Sequence, residues 1–139
     1  MDFKLEVVVI PVADVDRSKD FFKSVGWRLD ADFVIGPEVR IVQFTPPGSA
    51  ASIHFGSGVT NSPPGTSDAW LIVSDVEAAR SELVDLGADV SEVFHYDEMR
   101  HRISGADAER GSYKSFATLS DPDGNTFTLQ EITTRLPGR

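Results

Sequence analysis

His54 and Asp68 are the two side chains of this sequence best suited to moving a proton. An imidazole exchanges protons near neutral pH, and a carboxylate beside it can orient it and stabilise its charge. The pair would serve as catalytic base and acid if the two meet in the fold. Trp70, Thr128 and Gln130 supply a different set of contacts. Trp70 brings a broad apolar ring with one N–H donor, Thr128 a hydroxyl and Gln130 an amide. His95 and Tyr113 stand near the ends of a charged stretch that also holds Arg100, His101 and Arg102. Strands would anchor both there for contact with a ligand. A plainer reading stands beside each. His54 can be a hydrogen-bonded strand histidine, Asp68 a cap of the Gly65-Thr66-Ser67 turn, Trp70 core packing, and the charged stretch a solvated loop.

Composition narrows the classes of function. The chain has 139 residues, enough for one domain with a real core, and 40% of them are hydrophobic. Thirteen Lys and Arg against 22 Asp and Glu give a net charge of −9. That balance argues against nucleic acid and against an anionic membrane, both of which need clustered cations. It also suits a cationic ligand. There is no cysteine, so disulfides, thiolate catalysis and Cys-based metal sites are excluded. The apolar run near the N-terminus is too short to span a bilayer and no signal-peptide pattern follows it, so the expected location is cytoplasmic.

The elements that must position these residues repeat. At an offset of 61 residues, Val12, Asp14, Val15 and Gly26 fall on Val73, Asp75, Val76 and Gly87. Val7–Val12 and Ala69–Val73 are β-rich runs. Asp14 and Asp75 stand at helix N-cap positions. Val15, Ser18, Phe22 and Val25 then share one helical face, as do Val76, Ala79, Leu83 and Leu86. Gly26 and Gly87 come where a helix C-terminus favours a left-handed residue. Three strands follow in each copy: 27–35, 39–45 and 51–55 in the first, 89–94, 113–120 and 126–132 in the second. Thr45-Pro46-Pro47-Gly48 matches the turn Asp121-Pro122-Asp123-Gly124 at an offset of 76, so the second copy is 15 residues longer. The surplus falls at about 95–112, which reads as a long loop able to act as a lid. Gly56–Ser67 reads as a linker and the tail Thr133–Arg139 as a surface strap.

The spacing therefore predicts an α+β fold: two tandem βαβββ modules in a single domain, 1–57 and 66–133. Each module has one sheet face covered by its helix. Pairing the bare faces would form a cupped half-barrel around a central cavity. Alternation along the strands turns Trp70, Thr128, Gln130 and His54 away from the helices, with Phe127 and Leu129 toward them and Glu131 at the rim.

The run Val-Val-Ile-Pro-Val-Ala-Asp-Val-Asp-Arg-Ser-Lys-Asp-Phe-Phe, its second copy over Asp75–Gly87, and Asp-Pro-Asp-Gly-Asn before the last strand resemble the vicinal oxygen chelate superfamily. That group includes glyoxalase I, bleomycin- and fosfomycin-resistance proteins and extradiol dioxygenases. The resemblance implies a homodimer, and in many members a divalent metal on the first and last strands of each module. Here those positions are Val7, Ser52, Asp68 and Thr128, with His54 two residues beyond Ser52. A valine cannot ligate, and hydroxyls are poor ligands for transition metals. No cofactor is expected, and His54 and Asp68 are the weak candidates if a divalent metal binds. Two functions stay open. One is an enzyme of the glyoxalase-like class, a lyase or isomerase transferring a proton on a small oxygenated metabolite. The other is a non-catalytic protein of the bleomycin-resistance type, which binds and sequesters a small molecule.

Overall fold

Asp14 and Asp75 start the two helices as the repeat requires. Each has extended backbone, and each carboxylate accepts a backbone N–H three residues on, from Arg17 and from Ala78, both at 3.0 Å. The helices, α1 (Val15–Ser24) and α2 (Val76–Asp85), also end alike. Gly26 and Gly87 adopt φ of +83° and +82°. Their N–H groups return to Lys23 and Val84, and the next N–H, of Trp27 or Ala88, reaches Phe22 or Leu83. This doubly bonded stop satisfies carbonyls that a helix end otherwise leaves bare.

The computed structural model describes all residues, 1–139, and they divide into two compact units. No helix is long and apolar enough to cross a membrane. The first unit is Met1–Ser67 together with the turn Asp121–Asn125. It holds α1 and the strands β1 (Val7–Val9), β2 (Arg28–Ile35), β3 (Val39–Thr45) and β4 (Ser52–Ser57). The sheet order is β1-β4-β3-β2, with β1 parallel to β4 and the other pairs antiparallel. Phe22 of α1 packs on Phe44, Phe55 and Trp27 at ring separations of 5.0–5.7 Å. Each buried ring contributes about 1.5–3 kcal/mol from area alone.

The second unit is Asp68–Ser120 with Thr126–Arg139. It begins with β5 (Asp68–Val73) and α2. The strands β6 (Asp89–Val90), β7 (Phe94–Tyr96), β8 (Arg102–Ser104), β9 (Phe116–Ser120) and β10 (Thr126–Glu131) follow. The order is β5-β10-β9-β7-β8, β6 also lies on β9, and β5 is parallel to β10. Val76, Val93, Ala117 and Leu129 form its core under α2. Neither sheet closes into a barrel.

Two readings of the sequence change here. The stretch 95–112 is not one loop: its first part is the β7–β8 hairpin, and with β6 also a separate short strand the second copy has six strands to the first copy's four. The periodicity of the hairpin is masked because it is short and its turn charged. Glu131 is not at the rim. It is 1% exposed, on the same side of β10 as Phe127 and Leu129. Its Oε2 accepts the Val76 N–H at 2.9 Å and pairs with Arg110 at 2.6 Å. A free N–H at the start of α2 and a guanidinium beside it make a buried carboxylate tenable.

Candidate functional site

In the first unit, alternation puts Ile53 and Phe55 on the helix side of β4, with Ser52 and His54 on the bare face. His54 lies between Val9 of β1 and Gln43 of β3. Its ring is half-buried and engages no hydrogen-bond partner. Beside it runs a chain of hydroxyls. Thr45 donates to Asp30, and Thr45 and Ser52 share a bond of 2.6 Å. The Arg28 guanidinium and the Thr45 hydroxyl hold the Asp30 carboxyl below the usual carboxylate range. Asp30 is then an acceptor only, Thr45 spends its single proton on it, and Ser52 donates to Thr45. The Ser52 oxygen keeps its lone pairs for any further contact.

In the second unit the bare face carries Asp68, Trp70 and Ile72 on β5, Thr126, Thr128 and Gln130 on β10, and Phe116 and Thr118 on β9. The Trp70 ring crosses β10 to meet Phe116 edge-on at 5.9 Å. Phe116 stacks on Phe94 at 5.6 Å and meets Tyr96 at 5.5 Å. Four rings thus form one continuous platform. Phe94 and Phe116 are buried in it, while Trp70 is 57% exposed. The Gln130 amide reaches the Tyr113 carbonyl at 3.2 Å, which holds it beside the platform.

The residues singled out by sequence are thus only partly assembled. Trp70, Thr128 and Gln130 share a face, with Thr128 directly opposite Trp70. His54 and Asp68 belong to different units. Asp68 accepts the Thr126 hydroxyl at 3.0 Å instead of capping the linker turn, where Ser67 bonds Asn125. His95 lies on the opposite side of β7 from the rings, its Nδ1 2.7 Å from the Gly105 carbonyl. Tyr113 has φ of +72° and accepts the Leu136 N–H on its hydroxyl, so it anchors the tail. Phe94, Tyr96 and Phe116 complete the ring platform and are not singled out by the sequence. The one available signal was the alternation of Phe94 and Tyr96 around His95.

Within either unit, no group of three or more His, Asp or Glu side chains is placed to hold a metal ion. A shallow groove of about 310 Å³ lies on the helix side of the second unit, lined by Glu77, Arg80, Glu92 and Ser104 among others.

A sequence model of the Glyoxalase/Bleomycin resistance protein/Dioxygenase superfamily matches residues 4–129. The chain belongs to this superfamily. Solved glyoxalase-superfamily structures share its fold. TnmS3, an antibiotic binding protein from Streptomyces sp. CB03234, is 27% identical with a TM-score of 0.71, over 94% of this chain and 97% of that one. A glyoxalase/bleomycin resistance protein from the same strain is also 27% identical, with a TM-score of 0.68 over 92% and 100%. The fosfomycin resistance protein FosX from Mesorhizobium loti is 15% identical with a TM-score of 0.60 over 98% and 95%, a likeness of fold alone. No curated protein matches significantly in sequence.

Proposed function

We propose that this glyoxalase-superfamily chain binds and sequesters a small planar molecule against the aromatic face of its second unit. The observation that carries the reading is the continuous platform of Trp70, Phe116, Phe94 and Tyr96, which leaves the outermost ring largely exposed. Thr128 and Gln130 flank it and supply a hydroxyl and an amide for orientation. Exposed aromatic surface of this kind favours ligand binding over solvation. The antibiotic-binding description of TnmS3, at 27% identity, supports the same class.

The residues at the family's metal positions do not fit a divalent metal. Val7 has no donor atom, and Ser52 and Thr128 offer only neutral hydroxyls, which are poor ligands for transition metals. Asp68, already shared with Thr126, is the one charged group among the four positions. The protein is read as a cytoplasmic homodimer, with the exposed Phe33, Val34 and Ile35 of edge strand β2 as the surface needing cover.

A second reading is proton transfer of the lyase or isomerase type by His54, with Asp68 as its acid partner. The free imidazole of His54 favours it. One experiment separates the two. Planar aromatic compounds are titrated by calorimetry into the wild type and into Trp70→Ala, and the recovered compound is analysed by mass spectrometry. Binding that depends on Trp70, with the compound unchanged, is expected. Turnover that disappears in His54→Ala would establish catalysis in place of sequestration. Binding indifferent to Trp70 would remove the platform from the site.

A further inference from the structure

The aromatic platform carries two cations. The guanidinium carbon of Arg102 lies 3.6 Å from the Phe94 ring centroid, and that of Arg100 lies 4.4 Å from the Tyr96 centroid. Neither joins an ion pair. Outside the C-terminal tail, where Arg135 and Arg139 are also unpaired, the contrast with the other arginines is informative in a chain of net charge −9. Arg17, Arg28, Arg40 and Arg110 all pair with carboxylates, and Arg80 donates to the Ser91 carbonyl. Acidic groups are present in the same turn as Arg100 and still do not take it. Asp97 is occupied by the N–H groups of Met99 and His101 and by the His101 ring, and Glu98 forms no pair.

The turn also holds Arg100 at φ of +64°, a conformation costing a non-glycine residue about 1 kcal/mol or more. The Arg100 N–H to Asp97 carbonyl and Asp97 N–H to His101 carbonyl bonds, both 3.0 Å, enforce it. A guanidinium held over a ring without a carboxylate or carbonyl partner keeps N–H donors free to bind a ligand. Each ring thus has a fork of donors beside it, and nothing in the chain accepts from them.

Building on the platform reading, we infer that the ligand of this face is an anion: a planar arene bearing a carboxylate or comparable oxyanion. The arene lies against Trp70 and the neighbouring rings, and the oxyanion takes the free donors of Arg102 and Arg100. This reverses the preference for a cationic ligand suggested by net charge, because the local cations and not the global sum face the site.

The test uses 2-naphthoate and its neutral analogue 2-naphthamide, titrated calorimetrically into the full chain. Naphthoate is expected to bind about ten-fold tighter, and to weaken as salt rises from roughly 50 to roughly 500 mM while the amide does not. The advantage is expected to vanish in Arg100→Gln/Arg102→Gln. The wild-type comparison stands even if that variant folds poorly, and Arg102→Gln alone is the milder version. Equal binding of acid and amide, with both lost in Trp70→Ala, would overturn the anion inference and leave the platform intact. Failure of both probes to bind the wild type would overturn the platform reading and this inference together.

Discussion

The carboxylate of Glu131, at the end of β10, accepts the backbone N–H of Val76, the first residue of α2, at 2.9 Å. The same group holds Arg110, which extends to Asp75 and Glu77. One buried acid therefore ties the last strand, the start of the helix and the segment after the hairpin. Glu131→Gln keeps the shape but loses the charge that Arg110 and the helix N-terminus select. It is expected to cost about 1–3 kcal/mol in urea unfolding. An unchanged midpoint would show that the tie is not needed.

Stability should fall on the acid side. Arg110 lowers the Glu131 carboxyl, Arg28 lowers Asp30, Arg40 lowers Asp32, and the Ala78 N–H lowers Asp75. A group whose folded pKa is depressed stabilises the fold above its unfolded pKa of about 4 and loses that contribution as pH drops through the folded value. Asp121 has the opposite sign, since burial pushes its carboxyl up. Four against one predicts a urea midpoint that is level from roughly pH 7 to 5 and declines below about 4. Asp30→Asn should make the decline shallower.

The repeat made most of the fold legible. Asp14 and Asp75, Gly26 and Gly87 are local signals whose chemistry is complete within a few residues, and both helices form where those residues put them. Alternation also turned Trp70 away from its helix, because Leu71 and Val73 pack under α2. The ring platform and the burial of Glu131 are not legible in the sequence, for one shared reason: both depend on contacts far apart along the chain. Phe94 and Tyr96 reach Trp70 only through Phe116 on another strand, and Glu131 is buried where Arg110 and Val76 meet it from far along the chain. His54 and Asp68 fall in different units, so their pairing stays an expectation from the sequence.

Asp121–Asn125 packs with the first unit although it lies late in the chain. Asn125 donates to the Pro11 carbonyl at 2.8 Å, and Asp123 takes Arg17 at the same distance. Gly65 lies against this turn with φ of +81°, and a Cβ there would sit 2.2 Å from the Asp123 carbonyl oxygen. Gly26 has a similar φ but open space around it. Gly26→Ala should therefore cost about 1–2 kcal/mol, the left-handed penalty alone. Gly65→Ala should cost visibly more, since backbone must also move. Equal thermal shifts for the two would mean the turn gives way freely.

The hydroxyl chain of Asp30, Thr45 and Ser52 is directional, and removal of its middle member should show that. Thr45→Val is close to the same shape but leaves Asp30 one donor short and the buried Ser52 hydroxyl without an acceptor. A loss of about 1–3 kcal/mol is expected by urea unfolding. Ser52→Ala removes only a donor to Thr45, whose own bond to Asp30 survives, and should cost less. The reverse order would place the proton of the Thr45–Ser52 bond on Thr45.

Trp70 and Phe116 touch at 5.9 Å yet should separate cleanly by experiment. Trp70 is mostly exposed, so Trp70→Ala removes little buried area and should leave the unfolding midpoint nearly unchanged while weakening a planar ligand at least several-fold. Phe116 is buried among Phe94, Tyr96 and Trp70, so Phe116→Ala opens a cavity and should cost about 3–5 kcal/mol. Phe116→Leu keeps most of the volume and is the variant in which binding can be read without unfolding. If Phe116→Leu binds as the wild type does while Trp70→Ala does not, the exposed indole alone is the contact and the inner rings only support it. If both weaken, the ligand reaches across the platform toward Phe94, where Arg102 lies.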